Sequence, residues 1–412
     1  IIPPPVPANE NAAPIYEETF SIYEKLKKKY AEEWKYMPIE TKTDIKELSL
    51  SQKSRLNELV FNDPDFIRMY ELLEKAVNMP SCRFDLKYED GPAMLLPHLS
   101  KMRANAKIIA LRTLLLTEEN RYYDALESAM IGLLLGNALE NEPILISQLF
   151  STACDDIATH RLMQVISNVP SDGILIDICY RLMREIEFKK VRAGLKKELE
   201  GETAMAYGTF RRIFDTRIYH DKNSWKYYFY YNEDDLRSRM FWRFYLSYFG
   251  RPLVRKDAAF YLNQMTMAVE SCLTPYYQIK DSITKMDNEM EKELGKGKWG
   301  HPLSSMILPA LGRFHTRQAE ITAKFDGLEV ALALKIYKSK NGEYPDSLND
   351  IVPEYISELP KDPFTGQNYI YRKEIEGFIV YSVGRNERDD NGLYDERSLQ
   401  RKHDDLAWRC LR

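Results

Sequence analysis

The chain has 412 residues, of which 44% are hydrophobic and 29% are charged, and its formal net charge is −4 at pH 7. This length allows about two or three domains with apolar cores, and the slightly acidic balance argues against a surface that binds nucleic acid or an anionic membrane. No apolar run is long enough to span a bilayer.

The N-terminal segment is rich in proline and begins Ile1-Ile2-Pro-Pro-Pro. This composition predicts an extended tether over residues 1–14. Because no methionine precedes Ile1, we expect that an upstream piece was removed. That piece is a signal peptide or a membrane anchor, unless the start is an arbitrary boundary.

The cysteines are widely spaced and lack the C-x-x-C or paired spacing of a zinc or haem site. They are Cys82, Cys154, Cys179, Cys272 and Cys410. We expect most of them to be buried free thiols, because cysteine packs as a small hydrophobe. In an oxidising compartment, a disulfide such as Cys154–Cys179 is the alternative.

Residues 15–294 carry apolar side chains at helical spacing, separated by short polar connections. This pattern predicts a large, irregular α-helical bundle built from helical hairpins, in a protein that is mainly α. The clearest predicted helices cover Tyr16–Tyr36, Gln52–Phe61, Asp65–Val77, Leu99–Leu116, Tyr122–Leu139, Pro143–Ile166 and Ile174–Phe188. Helical patterns continue over 189–220 and 252–294, with a kink expected at Pro275.

Two features of this part carry alternative functions. Tyr123-Asp-Ala-Leu is similar to the second helix of a tetratricopeptide unit, although no repeat period accompanies it. A peptide-binding module is therefore one alternative. The aromatic block over 225–249 suits stacking on a ligand, but Phe241, Phe244, Tyr245, Tyr248 and Phe249 lie at the spacing of a helix packed on a core, which we favour.

The one compact group of catalytic residue types in the helical part is Asp155, Asp156 and His160. Asp156 and His160 are four residues apart and share a helix face, so they could ligate a metal or act as an acid–base pair. A structural ion pair explains the same spacing, and we favour that interpretation. An enzyme with its site in a cleft of the helical domain remains an alternative.

The C-terminal part has a different organisation. Residues 295–302 form a linker by composition, and 303–324 a connecting helix. Residues 325–412 then predict a small α+β domain. Its amphipathic helix ends at Asn341-Gly342, and the alternating segments Asn368–Arg372 and Gly377–Ser382 form a short antiparallel sheet.

This C-terminal part resembles the globular head of the major pseudopilin of type II secretion systems and of related type IV pilin-like proteins. The resemblance covers about residues 325–408. It is carried by Ala-Leu-Lys-Ile-Tyr-Lys-Ser-Lys-Asn-Gly-Glu-Tyr-Pro over 333–345, Val352-Pro-Glu-Tyr, Leu359-Pro-Lys-Asp-Pro-Phe364, Tyr381-Ser-Val-Gly384 and Asp404-Asp-Leu-Ala-Trp408.

The resemblance implies a calcium ion that orders the last strand. The positions that would hold it here are Asp389, Asp390, Asn391, Asp404 and Asp405. Calcium takes six to eight oxygen ligands, which carboxylates and carbonyls of a glycine-containing loop can supply. A solvated acidic loop without metal is the alternative.

The chain also departs from the family. Its members carry a membrane-spanning stem before the head, whereas residues 303–324 here are too polar to span a bilayer. We therefore expect no filament assembly of the family's kind. The sequence predicts an exported, periplasmic or cell-envelope protein of a bacterium that acts as a binding or scaffold component with a protein partner, and not as an enzyme.

Overall fold

The structure is a computed structural model. It describes residues 3–38, 45–88, 90, 94–170, 176–192, 196–214, 236–245, 247–271, 274–294, 300–308, 314–375, 377–393 and 404–410. The protein is mainly helical and carries one small antiparallel sheet.

The longer helices are named in chain order. They are α1 (Ala13–Lys29), α2 (Leu50–Asn62), α3 (Pro64–Val77), α4 (Pro97–Glu118), α5 (Tyr122–Leu135), α6 (Leu145–Asn168), α7 (Ile176–Arg192), α8 (Lys196–Phe214), α9 (Leu236–Tyr245), α10 (Arg251–Ser271), α11 (Tyr276–Leu294) and α12 (Phe314–Asn341). Single helical turns occupy Ala31–Trp34 and Ser304–Ile307, and 3-10 turns occupy Ile45–Glu47, Gly136–Leu139, Tyr248–Gly250 and Leu348–Ile351.

Several helices begin at residues that satisfy their first amides. Ser49 and Gln52 form a capping box at the start of α2, where each side chain accepts from the other residue's backbone N–H. Asp63 caps α3 by accepting from the N–H groups of Asp65 and Phe66. Local sequence therefore defines these helix starts.

Helices α4, α5 and α6 pack pairwise at the centre of the helical part, and α1 packs on α3 and α4. Their buried faces form an apolar core with Tyr16, Leu56, Met69 and Met102 at its centre. Short connections join α4 to α5 and α5 to α6, which brings consecutive helices side by side.

Helix α12 is the element that joins the helical part to the sheet. It packs against α6 and α7 on one side and against strands β2 and β3 on the other. The side chains from Val330 to Leu334 are therefore all buried, as expected of a helix enclosed by other elements on both sides. One apolar core runs from α5, α6 and α7 through α12 into the sheet.

The sheet has the order β1 (Ile370–Lys373), β2 (Phe378–Ser382), β3 (Leu406–Cys410), with both pairs antiparallel. The central strand β2 is buried throughout, and Val380 lies opposite Trp408. Asp362 holds the preceding turn on the sheet, because its carboxylate accepts from Phe364 N at 2.8 Å and from Val383 N at 3.1 Å.

Some element boundaries differ from the predicted ones. The helix predicted over Tyr16–Tyr36 ends at Lys29, and a separate turn follows. The long segment 252–294 is divided into α10 and α11, with Pro275 directly before α11, where its missing N–H costs no hydrogen bond. At the end of the predicted tether, Asn11 and Ala12 are docked, since Ala12 N donates to Ser81 O at 2.9 Å.

The cysteines inside the described ranges are free thiols and buried, as expected for most of the five; these are Cys82, Cys154, Cys179 and Cys410. Burial raises the pKa of the Cys154 and Cys179 thiols to about 12, so neither is a reactive thiolate at neutral pH. Across the described ranges, every helix is too short or too polar to cross a membrane.

Candidate functional site

The predicted pair of aspartates lies on α6 and is bound to two different neighbouring helices. Asp155 is buried, and its Oδ1 accepts from Lys189 Nζ of α7 at 2.6 Å. Burial raises the pKa of Asp155, and Lys189 opposes this shift. Asp156 instead forms an ion pair with Lys324 of α12 at the rim of a cleft.

The third residue of this predicted group, His160, lies one turn further along α6 and is exposed. Its Nε2 is 3.2 Å from Nε2 of Gln164. Asp155 and Asp156 are thus engaged by lysines on α7 and α12, while His160 contacts a residue of its own helix. The structure does not bring the three side chains together around one reacting atom.

The cleft beside Asp156 separates α6 from α12 and is shallow and open to solvent. The residues that line it are Leu149, Thr152, Ala153 and Asp156 of α6 and Arg317, Glu320 and Ile321 of α12. Its α12 wall carries charge and its α6 wall is mostly apolar or small.

Glu320 is the buried centre of the charged wall. Arg317 Nη1 donates to its Oε2 at 2.7 Å, and Arg385 Nη2 reaches its Oε1 at 2.6 Å. Burial alone would raise the pKa of Glu320, but the hydrogen bonds from Arg317 and Arg385 outweigh it, and the pKa is lowered. The carboxylate is therefore ionised at neutral pH and holds two guanidinium groups.

Arg385 belongs to the acidic loop for which calcium is predicted. Its backbone N–H donates to Asp404 Oδ2 at 3.1 Å. The preceding Gly384 has a φ of +65°, and a Cβ there would lie 1.9 Å from the carbonyl oxygen of Asp404. Glycine is required at this position because the loop and the start of β3 approach so closely.

The carboxylates of the loop close it by accepting backbone hydrogen bonds. Asp405 Oδ2 accepts from Asp390 N at 2.9 Å and from Gly392 N at 2.7 Å, and Asp390 Oδ2 accepts from Asp404 N at 3.0 Å. The three aspartates Asp390, Asp404 and Asp405 are therefore close together. Each of these three carboxylates already accepts a hydrogen bond from a backbone N–H.

The other two predicted ligands lie on the outer side of this loop. Asp389 Oδ1 accepts from Tyr381 OH and from Asn391 N, both at 2.8 Å. Asn391 Oδ1 and its carbonyl oxygen accept from Arg372. These bonds fix the outer turn of the loop onto β1 and β2.

One carboxylate oxygen of the loop differs from the others. Asp405 is fully buried, and its Oδ1 has no hydrogen-bond partner among the residues that the structure describes. Burial raises the pKa of Asp405 to about 6, and Asp390 and Asp389 add to the effect. An oxygen-ligated cation would compensate this buried carboxylate. No group of three or more acidic, histidine or cysteine side chains is arranged as a metal site within the described ranges.

Two buried polar clusters were not predicted from the sequence. His98 Nε2 lies 2.9 Å from Glu142 Oε1, a contact without the angle of a hydrogen bond, and Ser147 Oγ donates to Glu142 Oε2 at 2.5 Å. In the second, Asp257 accepts from Tyr245 OH at 2.7 Å and from Leu303 N at 2.8 Å. Both clusters join residues more than forty positions apart in the chain. No local sequence motif therefore predicts them.

The aromatic block is partly a core element. Phe241 and Tyr245 are buried, whereas Phe244 is 47% exposed and Phe249 is 80% exposed. The expectation of one packed helical face therefore holds for two of these side chains. Residues 225–235 and the side chain of Tyr248 lie outside what the structure describes.

Comparison with known proteins gives no relative for this chain. No protein-family model, no curated protein and no solved structure matches it.

Proposed function

We propose that this chain is an exported binding or scaffold component of a bacterial cell envelope, with a pseudopilin-like head and no reaction of its own. The observation that carries the proposal is the environment of α12. This helix leads into Asn341-Gly-Glu-Tyr-Pro345, the first of the motifs that resemble the pseudopilin head.

In the family that the head resembles, the corresponding helix continues backward into a stem that packs in the filament. Here α12 is enclosed by α6 and α7 on one side and by the sheet on the other. A helix buried on both sides has no free face to give to a filament. The head therefore serves as a module fixed on a helical platform.

The arrangement of the predicted catalytic residues supports a binding function over an enzymatic one. Asp155 and Asp156 are each neutralised by a lysine, on α7 and α12 respectively. A general base needs a carboxylate or imidazole that can reach a substrate proton. Instead of a catalytic site, the open cleft beside Asp156 offers a surface on which a partner can dock.

The proposal includes calcium in the acidic loop. The support is the buried Oδ1 of Asp405, which has no hydrogen-bond partner in the described part of the chain, in a loop with Asp389, Asp390, Asn391 and Asp404. When bound, the ion would supply positive charge beside these carboxylates. Asp405 immediately precedes β3. The loop residues that would bind the ion therefore lie at the start of the last strand.

Export is tested by fusing alkaline phosphatase after Arg412 of the native gene, because this reporter needs disulfides that form outside the cytoplasm. The matched control is the same fusion begun with methionine directly before Ile1. We expect an active reporter from the native gene and an inactive one from the control. A full-length native fusion that stays inactive would contradict the envelope location.

A further inference from the structure

A lysine and a cysteine outside the candidate site are buried together beside the last strand. Lys335 of α12 is 4% exposed, and Cys410 of β3 is 1% exposed. Lys335 Nζ donates to the carbonyl oxygen of Val169 at 2.8 Å. Cys410 Sγ donates to the carbonyl oxygen of Ser167 at 3.8 Å. Both functional groups therefore reach the same, C-terminal end of α6.

The orientation of β3 turns the side chain of Cys410 towards α12. Alternate residues of a strand share one face, so Cys410 points to the same side as Trp408. The indole ring of Trp408 lies against Gly327 of α12. Lys335 lies about two turns further along that helix, and its amine shares a side-chain hydrogen bond with the Cys410 thiol. The contact between amine and thiol thus follows from the packing of the strand on the helix.

Burial changes the chemistry of the amine. It lowers the pKa of Lys335, and the interaction with Cys410 opposes this shift. The folded state therefore holds more of the neutral amine, which has a free electron pair, than an exposed lysine does. When the amine is protonated instead, its charge stabilises the negative charge that sulfur carries as it reacts with an oxidant. The pair thus places a nucleophilic nitrogen in contact with an oxidisable sulfur.

Cys82 provides a comparison within the same chain. It is 7% exposed, more than Cys410. Burial raises the pKa of the Cys82 thiol, and the negative charges of Glu142 and Glu17 add to this shift. A thiol with a raised pKa forms less of the thiolate that reacts with oxidants. Exposure alone therefore predicts that Cys82 is oxidised first, whereas the neighbouring amine predicts that Cys410 is.

We propose that Cys410 and Lys335 form a redox-sensitive modification site, at which a peroxide produces a reversible cross-link between β3 and α12. A small oxidant reaches the pair through the end of α6, where Ser167 is half-buried and Asn168 is exposed, because helix ends open locally at low cost. The inference does not rest on the proposed function, so failure of the phosphatase test leaves it standing.

The reaction has two steps, and one molecule of peroxide is the only oxidant. In the first, the sulfur of Cys410 attacks a peroxide oxygen, so that an S–O bond forms, the O–O bond breaks and water leaves. The product is a sulfenic acid, in which sulfur has given two electrons to the peroxide. In the second, the neutral nitrogen of Lys335 attacks this sulfur. An S–N bond forms, the S–O bond breaks, and the hydroxyl group leaves as water with a proton from the nitrogen. Sulfenic acids condense with nitrogen in this way, and the resulting sulfenamide is returned to thiol and amine by an added thiol.

The test treats the full, folded and reduced chain with hydrogen peroxide. Free thiols are then blocked in denaturant, and the chain is digested without reductant and mapped by mass spectrometry. We expect a peptide pair joined between Lys335 and Cys410, with a mass about 2 Da below the sum of the free peptides, because the balanced reaction removes two hydrogen atoms. The pair should disappear when dithiothreitol is added. At early times, Cys410 should be modified to a greater extent than Cys82.

Two matched variants test the role of the amine. Lys335→Met removes the nitrogen and keeps an unbranched side chain. It should abolish the cross-link and leave several-fold more sulfenic acid at Cys410, which the reagent dimedone labels. Lys338→Met is the control, because Lys338 lies about one turn away on the same helix, over the ring of Tyr344. This variant should form the cross-link as the native chain does.

A second thiol is the competing partner, because Cys179 also lies within electrostatic range of Lys335. An unchanged cross-link in Cys179→Ser would support the proposal, whereas a disulfide between Cys179 and Cys410 would overturn it. So would a free Cys410 thiol after treatment that has oxidised Cys82. The cross-link is identified directly in the native chain, so these outcomes decide the matter even if a circular dichroism melt shows that Lys335→Met is unfolded.

Discussion

The backbone of Gly327 lies directly against the indole ring of Trp408. A Cβ on this glycine would come within 2.2 Å of Cε3 of the ring. Gly327 is in α12 and Trp408 is in β3, so this contact joins the helix to the last strand. The absence of a side chain at residue 327 allows the sheet to pack on the helix.

Gly327→Ala should therefore destabilise the protein, by about 1–3 kcal/mol, because the ring or the strand must shift. The matched control is Gly208→Ala in α8, where a Cβ would meet nothing within 4 Å. There alanine should stabilise the helix by about 0.5–1 kcal/mol. Urea unfolding measures both values, and equal effects of the two substitutions would argue against the close contact.

Local sequence predicts the features that depend on interactions between residues close together in the chain. The cap at Ser49 and the helix start at Asp63 are each determined by a few neighbouring residues. The enclosure of the middle of α12 on two sides could not be predicted in this way. Its second face is covered by strands that follow about forty to eighty residues later. The spacing of apolar residues in the helix does not indicate that these strands pack on it.

In the candidate site, too, some features follow from neighbouring residues and others are formed only by the fold. The acidic loop was predicted because its residues are close in sequence and resemble a known motif. The cleft was not, because Glu320 and Arg385 are brought together only by the fold. Asp156 was singled out for its neighbour His160, whereas its partner in the structure is Lys324 of a distant helix.

The buried pair of Asp155 and Lys189 should be sensitive to removal of one charge. Asp155→Asn leaves the ammonium group of Lys189, which is 3% exposed, without a countercharge, and we expect a loss of about 3–5 kcal/mol. Asp156→Asn is the matched control, and a partly exposed pair should contribute less than about 1 kcal/mol.

The double variant Asp155→Leu with Lys189→Met removes both charges. It should recover most of the stability, because replacing a buried pair by apolar groups is often neutral. Denaturant titration compares the three variants. If Asp155→Asn lowered the free energy of unfolding no more than Asp156→Asn, the buried ion pair would not contribute more to stability than the partly exposed one.

Calcium should stabilise the protein through Asp405. Binding at a concentration a hundred times the dissociation constant would add about 2.7 kcal/mol, and Asp405→Asn should abolish most of this gain. The measurement is a thermal melt with calcium and with chelator. Lys285→Gln, a substitution on α11 outside the acidic loop, serves as the control.

The calcium effect should depend on pH in a defined direction. Burial raises the pKa of Asp405 from 3.8 to about 6. Without metal, its contribution to stability is present below pH 3.8 and is lost as the pH rises through about 6. Calcium competes with this proton, so its effect should be larger at about pH 7.5 than at about pH 5. Identical melts with and without chelator at both values would contradict calcium binding.

His315 should make the protein less stable in mild acid. Burial lowers its pKa from 6.5 to about 4, so the folded state favours the neutral imidazole. This contribution is complete above pH 6.5 and is lost as the pH falls from 6.5 through 4, with a total of about 3 kcal/mol.

His315→Gln should remove this part of the pH dependence, while substitution of the exposed His160 by glutamine should leave it unchanged. The measurement is the free energy of unfolding as a function of pH for the three proteins. A slope between pH 4 and 6.5 that persists in His315→Gln would assign it to another group.

Helix α12 joins the sheet and the helical part into one core. Pulsed hydrogen exchange with mass spectrometry across a denaturant series tests it most directly, using peptides from α6, α12 and β2. We predict that all three lose protection at the same denaturant concentration, as parts of one cooperative unit. Retention of protection in α12 and β2 after α6 has unfolded would contradict a single core, because α12 and the sheet would then form an independent domain.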